Sequence, residues 1–400
     1  MTSPTIKIGL ISGFTGQHAE LTESQLMGIQ LGVEEINARG GVLGRMLELS
    51  HYDDELSSAK AVAIAEQLIA ERRVDVLLGT LAANTVIDVN RVAVTHNFPF
   101  MAICQTKLLT DSEHLGAYTF HEALTPYMGA QLITKWGTEH LGKRWYFIGY
   151  DFQFAKDCIS AFHEVLPKFG GTILGTSIIP SEGGAEAYMK VFDEIAMLKP
   201  DVLSVTNFGT QQVDFAKAAH KRGITKEMSV VNTISDLYII NHVGLDALVG
   251  MYWGANFYWK LKDTIPSAKL FVEQFEKRFQ VPPTGYAGYA YSGILEFAAA
   301  IEASETYPID PMKVSEFLEG RSYDHYKGRQ WWRPCDHQSF QNLYIMRFKG
   351  PEESVSKYDI GEIVATVEWD LDIEKTCAHL GHNTHLGGWG ERGTQEEFKG

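Results

Sequence analysis

Apolar and polar residues alternate along the first part of the chain in a strand–helix–strand rhythm. The apolar run IKIGLI near the N-terminus is typical of a buried strand. The positions that then recur at the spacing of one helix face are Leu26, Ile29, Val33 and Ile36. Thr22 and Gln25 have the spacing of a capping box, which predicts that this helix begins at Thr22, and the pair Gly40 and Gly41 predicts its end.

The same rhythm continues after the first helix. The strand patterns RMLELSHYDD, VDVLLGT and FPFMAIC alternate with two helical stretches, the second of which is NTVIDVNRVAVTHN. Strands and helices that alternate in this way form a parallel sheet with helices on both faces. The first part of the chain is therefore predicted to form an α/β lobe.

A second lobe is predicted because the pattern then restarts. The stretch RWYFIGYDFQFAKDCISAFHEVLPKFGGTILGTSII again has the pattern of a strand, a polar turn, a helix and a strand. The fragment PDVLSVTNFGTQQ is similar to VDVLLGTLAANTV and aligns Thr206 with Thr80. Beyond residue 250 we expect an extended segment in MYWGANFYW, a long helix in GYAGYAYSGILEFAAAIEA and a hairpin in RQWWRPCDHQSFQNLYIMRF.

Length and composition favour a globular protein with two domains. The chain has 400 residues, of which 45% are apolar and 21% charged, and it has no apolar run of the roughly 18 residues that a membrane-spanning helix needs. A net charge of −15 argues against nucleic acid or anionic lipid as a partner, because both require a basic surface. The start MTSPTIKIG leads into a strand without a secretory leader, so the protein is expected to be cytosolic or to have lost its leader.

The sequence lacks the familiar nucleotide-binding and catalytic motifs. Gly9, Gly13 and Gly16 match neither the dinucleotide fingerprint nor the phosphate-binding loop. The patterns G-x-S-x-G, H-E-x-x-H and C-x-x-C do not occur. We therefore expect no enzyme activity, no cofactor and no metal site.

Two groups of residues keep an enzyme open as an alternative. The pair Asp53 and Asp54 is interpreted as a strand-end turn with solvated carboxylates, although an acid/base or metal pair has the same pattern. The histidines His379, His382 and His385 are interpreted as part of a solvated tail, although their spacing also suits a metal.

The four cysteines fall into two pairs. Cys104 and Cys158 lie in apolar patterns and are expected to be buried thiols. Cys335 and Cys377 lie in polar stretches and are a candidate disulfide if the protein matures in an oxidising compartment. Two free thiols are the open alternative for the second pair.

Residues that follow the predicted strands form a candidate ligand site, because open α/β sheets bind ligands at the carboxyl ends of their strands. The candidates are Thr15, Ala83, Asn84, Thr85, Cys104 and Gln105 in the first lobe, and Phe152, Phe154 and Phe208 in the second. Three aromatic residues at equivalent turns favour the apolar wall of a small-molecule cleft between the lobes. Burial of these rings inside their own lobe is the alternative.

The order of these motifs resembles the type I periplasmic solute-binding proteins of the branched-chain amino acid/amide class, which are receptors of ATP-driven importers. The resemblance is carried by KIGLISGFTGQHA, QLGVEEINARGGVLGRMLEL, YDDE, GYDFQFAKD and CDHQSFQNLYIM. It implies two Rossmann-like lobes with parallel sheets, joined by three crossover strands near residues 120–123, 251–257 and 330–334, and a ligand trapped by hinge closure. The implied lobes are residues 1–121 with 254–331 and residues 122–253 with 332–375, followed by an extension over 376–400.

The resemblance also implies roles for single residues. Ala83 matches a loop position whose serine hydroxyl and backbone amide bind the carboxylate of an amino acid, and Gln105 matches a second hydroxyl position at a strand end. The neighbours of Gln105 at that strand end are Ile103 and Cys104. The positions that match aromatic residues covering the ligand are Phe154 and Phe208.

One position departs from the family pattern. Thr233 stands where the family has an acidic residue that takes the ammonium group of the ligand. A buried ammonium without a carboxylate partner costs several kcal/mol, so an ordinary α-amino acid is disfavoured unless Asp236 substitutes. We expect a small ligand with an aromatic or aliphatic body and at most one anionic or amide end.

The resemblance favours a periplasmic or extracellular receptor of an ABC importer without chemistry of its own. Its expected partners are the small ligand and the membrane permease components of the importer, and we expect a monomer. The alternative is a cytosolic amide or ligand sensor of the same fold that acts on a regulatory partner.

Overall fold

The computed structural model describes residues 5–16, 18–110, 114–180, 183–207 and 209–369. These residues form two compact units. Unit 1 contains the chain up to Leu124 and the segment Trp259–Gln341, and unit 2 contains Thr125–Tyr258 and Asn342–Trp369. Within the described residues, the chain therefore passes between the units three times, after Leu124, Tyr258 and Gln341.

Unit 1 is built on a parallel five-stranded sheet in the order β2-β1-β3-β4-β5. Its strands are β1 (Ile6–Ser12), β2 (Leu47–Asp53), β3 (Val76–Gly79), β4 (Phe100–Ala102) and β5 (Thr119–His121). Its helices are α1 (Ala19–Ala38), α2 (Ser58–Ala70), α3 (Ala83–Thr95), α8 (Pro266–Phe279), α9 (Gly285–Ser304) and α10 (Pro311–Leu318). A small antiparallel sheet adds β11 (Ser322–Tyr323), β12 (Gln330–Trp332) and β13 (Ser339–Phe340).

Two apolar clusters pack on this sheet. One contains Ile8 and Leu10 of β1 with residues of α1, α9 and α10, and the other contains Ile11 of β1 with residues of α2 and α3. Alternate residues of β1 thus face different helix layers, as the period of a strand requires. Helix α1 lies so close to α9 that a Cβ at Gly28 would be 2.2 Å from the carbonyl oxygen of Ala287.

Unit 2 repeats this architecture with a seven-stranded sheet in the order β15-β14-β10-β9-β8-β6-β7. Its strands are β6 (Arg144–Tyr150), β7 (Thr172–Ile179), β8 (Val202–Thr206), β9 (Ser229–Asn232), β10 (Tyr252–Ala255), β14 (Leu343–Phe348) and β15 (Gly361–Val367). Its helices are α4 (Pro126–His140), α5 (Gln153–Val165), α6 (Gly184–Leu198) and α7 (Thr210–Arg222). The five strands β7, β6, β8, β9 and β10 are parallel, and β14 and β15 extend the sheet as antiparallel strands.

The predicted fold class is confirmed by these sheets. The order β7-β6-β8-β9-β10 in unit 2 matches the order β2-β1-β3-β4-β5 in unit 1, and Thr80 and Thr206 lie at equivalent strand ends. Cys104 and Cys158 are buried free thiols, as expected. Within the part of the chain that the structure describes, no helix combines the length and apolar character needed to cross a membrane.

Two local predictions were wrong. Helix α1 begins at Ala19, before the proposed capping box, and the Thr22 hydroxyl donates to the carbonyl oxygens of Gly13 and Ala19. The Gln25 side chain bonds to distant strand ends instead of the helix start, because tertiary partners replaced the local one. The expected hairpin is limited to β12 and β13, and the last part of that stretch forms β14 in the sheet of unit 2.

Candidate functional site

Gln25 of helix α1 joins three strand ends at the carboxyl edge of the unit 1 sheet. Its Oε1 accepts a hydrogen bond from the Ser12 hydroxyl over 2.8 Å. Its Nε2 donates to the carbonyl oxygens of Thr80 and Ile103, both over 3.3 Å. Gln25 is fully buried, so these bonds hold the loops after β1, β3 and β4 together in an interior where an unpaired amide would be costly.

The loop after β1 places Thr15 at an exposed position next to Asp53. The Asp53 carboxylate accepts the N–H groups of Phe14 over 2.8 Å and Glu55 over 2.9 Å. Burial acts to raise the pKa of Asp53, but hydrogen bonds from Glu55, Thr15 and Phe14 outweigh it and lower the pKa. Asp53 is therefore ionised at neutral pH and holds the predicted anchor loop in place.

The loop after β3 leads into the N-terminus of α3, where three candidates lie. Ala83 is the first helical residue, and the N-cap residue Ala82 provides no side-chain cap. Asn84 is exposed and donates to the Ser58 hydroxyl over 3.1 Å. An N-terminus that lacks a side-chain cap has N–H groups and a partial positive charge to offer an anion.

Thr85, the third candidate in this loop, lies beneath the loop and not at its surface. Thr85 is fully buried, and its hydroxyl lies 2.7 Å from that of Thr80. It also donates to the carbonyl oxygen of Ala82 over 3.0 Å. These bonds fix the shape of the loop, so the hydroxyl of Thr85 supports the backbone of this loop from within.

The three candidates at the end of β4 differ in how exposed their side chains are. Ile103 and Cys104 are both fully buried, and burial raises the pKa of the Cys104 thiol well above its usual range. His121 donates from Nε2 to the carbonyl oxygen of Cys104 over 2.6 Å. Gln105 is half-buried, and its Nε2 donates to the hydroxyl of Tyr289 over 3.3 Å.

Aromatic rings gather at the end of β6 in unit 2. Phe152 is the N-cap residue of α5, its side chain is half-buried, and its ring centroid lies 6.0 Å from that of Phe154. Tyr150 ends β6 and lies 4.6 Å from Phe152, centroid to centroid. Tyr150 is not among the sequence candidates, which were taken from the turn after the strand that Tyr150 ends. Phe208 lies outside the described residues.

Two hydroxyl groups meet at the ends of β8 and β9. The hydroxyl oxygens of Thr206 and Thr233 are 2.7 Å apart, and both residues are buried. Asn207 and Asn232 are also buried at these strand ends. These four side chains are polar but carry no charge. Asp236 is half-buried, and its Oδ1 accepts the N–H of Leu237 over 2.6 Å.

A hydrogen-bond network holds the turn before α7. Gly209 has φ = 58°, a conformation that favours glycine, and its N–H donates to the Tyr238 hydroxyl over 3.3 Å. That hydroxyl donates to Oε1 of Gln212 over 2.9 Å, and Gln212 donates from Nε2 to the carbonyl oxygen of Ile234 over 3.0 Å. The N-cap of α7, like that of α3, provides no side-chain cap.

The interpretation of the carboxylate pair as solvated is wrong for Asp54, which directly follows β2. Asp54 is fully buried, and its Oδ1 accepts the N–H of Leu56 over 2.8 Å. Burial raises the pKa of Asp54 to about 6, the Leu56 hydrogen bond opposes this rise and the charge of Asp53 adds to it. The described residues contain no group of three His, Cys, Asp or Glu side chains that could hold a metal. His379, His382 and His385 lie outside the described residues.

The candidate disulfide is described only in part. Cys335 is buried and disulfide-bonded. Its expected partner Cys377 lies outside the described residues, so the pairing of the two stays a prediction.

Comparisons with known proteins place this geometry in context. A family model described as periplasmic binding protein matches residues 5–353. The Leu/Ile/Val-binding protein homolog 7 of Brucella abortus (strain 2308) is 23% identical over 308 residues, which are 73% of this chain and 75% of the relative.

Solved structures share the fold at low sequence identity. An amino acid ABC transporter substrate-binding protein from Pseudomonas fluorescens Pf-5 has a TM-score of 0.85 and 22% identity, with 94% of this chain and 98% of that chain covered. A solute-binding protein of an ABC transporter from Rhodopseudomonas palustris BisB5, in complex with 3,4-dihydroxy benzoic acid, has a TM-score of 0.79 and 22% identity, with 92% and 99% covered.

Proposed function

Because this chain belongs to the periplasmic binding protein family, we propose that it is the solute receptor of an ABC importer and captures a small aromatic or apolar carboxylate or amide by hinge closure. Members of this family and the similar proteins are solute-binding proteins and not enzymes. The proposed partners are that ligand and the permease components of the importer. The proposed location is periplasmic or extracellular, and the proposed state is a monomer.

The observation that carries the ligand class is the Thr206–Thr233 hydroxyl pair. Thr233 matches the family position of the acidic residue that takes an ammonium group, and here its hydroxyl bonds to a second neutral side chain. Removing an ammonium group from water without a carboxylate partner costs several kcal/mol. The pair therefore disfavours a zwitterion and suits a ligand with a hydroxyl, carbonyl or apolar group at this point.

Asp236 does not supply the missing charge in this proposal. Its Oδ1 caps the short helix Leu237–Asn241 by accepting the N–H of Leu237. A rotation that turned Oδ1 to an ammonium group would remove this hydrogen bond, which contributes on the order of 1 kcal/mol.

In this proposal, backbone N–H groups bind the anionic or amide end of the ligand. Aromatic side chains pack against its apolar body. The α3 N-terminus lacks a side-chain cap, and so does the α7 N-terminus, so the N–H groups of each suit a carboxylate or amide oxygen. Tyr150, Phe152 and Phe154 provide apolar ring surface that is half-buried. The similar structure from Rhodopseudomonas palustris holds an aromatic acid, which supports this ligand class.

A thermal-shift comparison tests the proposal. Benzoate, 3,4-dihydroxybenzoate, benzamide and a branched-chain fatty acid are compared with leucine and phenylalanine at equal concentrations. A ligand at 100 times its Kd stabilises the folded state by about 2.7 kcal/mol, which raises Tm by several degrees. We expect at least one compound without an ammonium group to raise Tm more than either amino acid, and tight binding of leucine would overturn the ligand class.

A further inference from the structure

Tyr289 lies between a predicted ligand residue and the point where the chain leaves unit 1. It belongs to helix α9, and its side chain is almost fully buried. Its hydroxyl oxygen accepts a hydrogen bond from Nε2 of Gln105 over 3.3 Å and a second from the backbone N–H of Leu124, also over 3.3 Å. One oxygen atom therefore contacts both the end of β4 and the last residue of the first segment of unit 1.

The residues just before Leu124 are tied to the end of the last segment of unit 1. Gln338 donates from Nε2 to the carbonyl oxygen of Ala123 over 2.8 Å. Gln341 donates from Nε2 to the carbonyl oxygen of Glu122 over 2.5 Å. Gln341 is the residue after which the chain leaves unit 1 for the last time. Two of the three crossing points are thus joined by side-chain amides to the backbone that Tyr289 holds.

We propose that Tyr289 is a positioning residue that couples ligand contact at Gln105 to the backbone of the crossing segment at Leu124, an inference that rests on the proposed function. Gln105 is half-buried, so a ligand oxygen is able to compete for its amide group. If the amide turns towards the ligand, the Tyr289 oxygen loses the Gln105 donor and keeps the N–H of Leu124. The remaining bond to Leu124 then strengthens, because an acceptor oxygen that loses one donor has more charge to offer the other.

Both bonds of Tyr289 have a length at which a small shift matters. At 3.3 Å they are longer than the 2.9–3.0 Å that is most common for N–H···O bonds. A movement of a few tenths of an ångström is enough to bring the bond to Leu124 to this common length. Such a movement of the backbone at Leu124 is the proposed response of the crossing segment to a ligand at Gln105.

The test uses the full-length protein and the substitution Tyr289→Phe, which keeps the ring and removes the oxygen. The matched control is Tyr291→Phe, on the same helix, which removes a buried hydroxyl that donates to Oε2 of Glu35 over 2.9 Å. Kd for the best compound from the thermal-shift comparison is measured by calorimetry. We expect Tyr289→Phe to weaken binding by three- to tenfold and Tyr291→Phe to leave Kd within twofold, whatever each does to Tm.

A double-mutant cycle separates coupling from a structural role. In a Gln105→Ala background the Tyr289 oxygen has no ligand residue to act through, so we expect Tyr289→Phe to change Kd by less than twofold. Equal effects of Tyr289→Phe in both backgrounds would overturn the coupling, as would an unchanged Kd in the single variant. Failure of the proposed function is distinguishable, because the unmodified protein would then bind none of the compounds or would bind leucine most tightly.

Discussion

The hydroxyl oxygens of Thr206 and Thr233 lie 2.7 Å apart at adjacent strand ends of unit 2, with both side chains buried. One hydroxyl donates to the other, and neither side chain carries a charge at the position that the resemblance matches to an acidic residue. This pair is the part of the candidate site on which the ligand class depends most directly.

A carboxylate at Thr233 is expected to repel an anionic ligand. Two like charges about 5 Å apart at the surface-like dielectric of a protein repel by about 3 kcal/mol, so Thr233→Glu should weaken binding of a benzoate-type ligand by more than tenfold. Thr233→Gln adds nearly the same volume without charge and is the control. Titration calorimetry of both variants checks this, and equal losses of affinity would show that volume and not charge is responsible.

Phe152 is expected to contribute to binding more than to folding. Its half-buried ring packs on Tyr150, so Phe152→Ala should weaken binding about tenfold through lost apolar contact and change Tm little. Phe162→Ala is the contrast, because Phe162 is fully buried and its truncation should cost about 3–5 kcal/mol of stability. Calorimetric Kd and chemical denaturation distinguish the two. A large loss of stability in Phe152→Ala would assign the ring to the core.

Gln25 is expected to be a major stabilising residue of unit 1. Gln25→Leu keeps a similar volume but leaves the carbonyl oxygens of Thr80 and Ile103 without this donor, so the free energy of unfolding should fall by about 2–4 kcal/mol. Gln67→Leu is the matched control, because Gln67 is exposed and bonds only over 3.1 Å to Glu71 in its own helix. Urea denaturation should show a change below about 0.5 kcal/mol for the control. Similar values for both variants would contradict the role of Gln25.

Asp54 is expected to make stability depend on pH. Its pKa is about 6 in the folded protein, whereas an unperturbed aspartate, as in the unfolded chain, has a pKa of 3.8. Between these two values the folded state keeps a proton that the unfolded state has lost. The free energy of unfolding should therefore fall as pH rises from about 4 to about 6, by up to about 3 kcal/mol, and no further above that range. Asp54→Asn should remove this component, measured by denaturation at several pH values. Parallel profiles of the two proteins would refute it.

Glu122 and Lys327 are expected to depend on each other inside unit 1. Both are buried: burial raises the pKa of Glu122 to about 7 and lowers that of Lys327 to about 7, and the charge of each opposes the shift of the other. Lys327→Met should lower the free energy of unfolding by about 1–3 kcal/mol, because it removes that charge and the hydrogen bond from Lys327 to Oε1 of Gln341. Adding Glu122→Gln should cost much less than the sum of the two single changes. Denaturation of the single and double variants measures this, and strict additivity would exclude the coupling.

Much of the fold was predictable because its signals are local. The apolar runs of β1, β3 and β4 and the helical spacing in α1 depend on residues within a few positions of each other. The similarity of the segments around Thr80 and Thr206 predicted two lobes, and both residues lie at equivalent strand ends. Residue patterns such as these report which face of an element is buried, and this is enough to specify the order of strands and helices.

The proposed capping box and the Asp53–Asp54 pair are two features that local sequence patterns predicted wrongly. Gln25 had the right spacing to cap a helix, but its partners Thr80 and Ile103 are 55 and 78 residues away. Asp54 follows a strand in a polar sequence, yet it is fully buried. Sequence spacing does not report which distant backbone group needs a donor or which loop covers a carboxylate.

The sequence by itself determined the family, the α/β architecture and the neutral residue at position 233, because each depends on residue identity and order. Only the tertiary structure decided that Thr206 is the partner of Thr233, that Thr85 supports its loop from within, and that Tyr289 joins Gln105 to Leu124. Gln105 and Tyr289 are 184 residues apart. Contacts between such residues form only when separate elements pack, and the packing is the sum of many weak interactions that no single stretch of sequence contains.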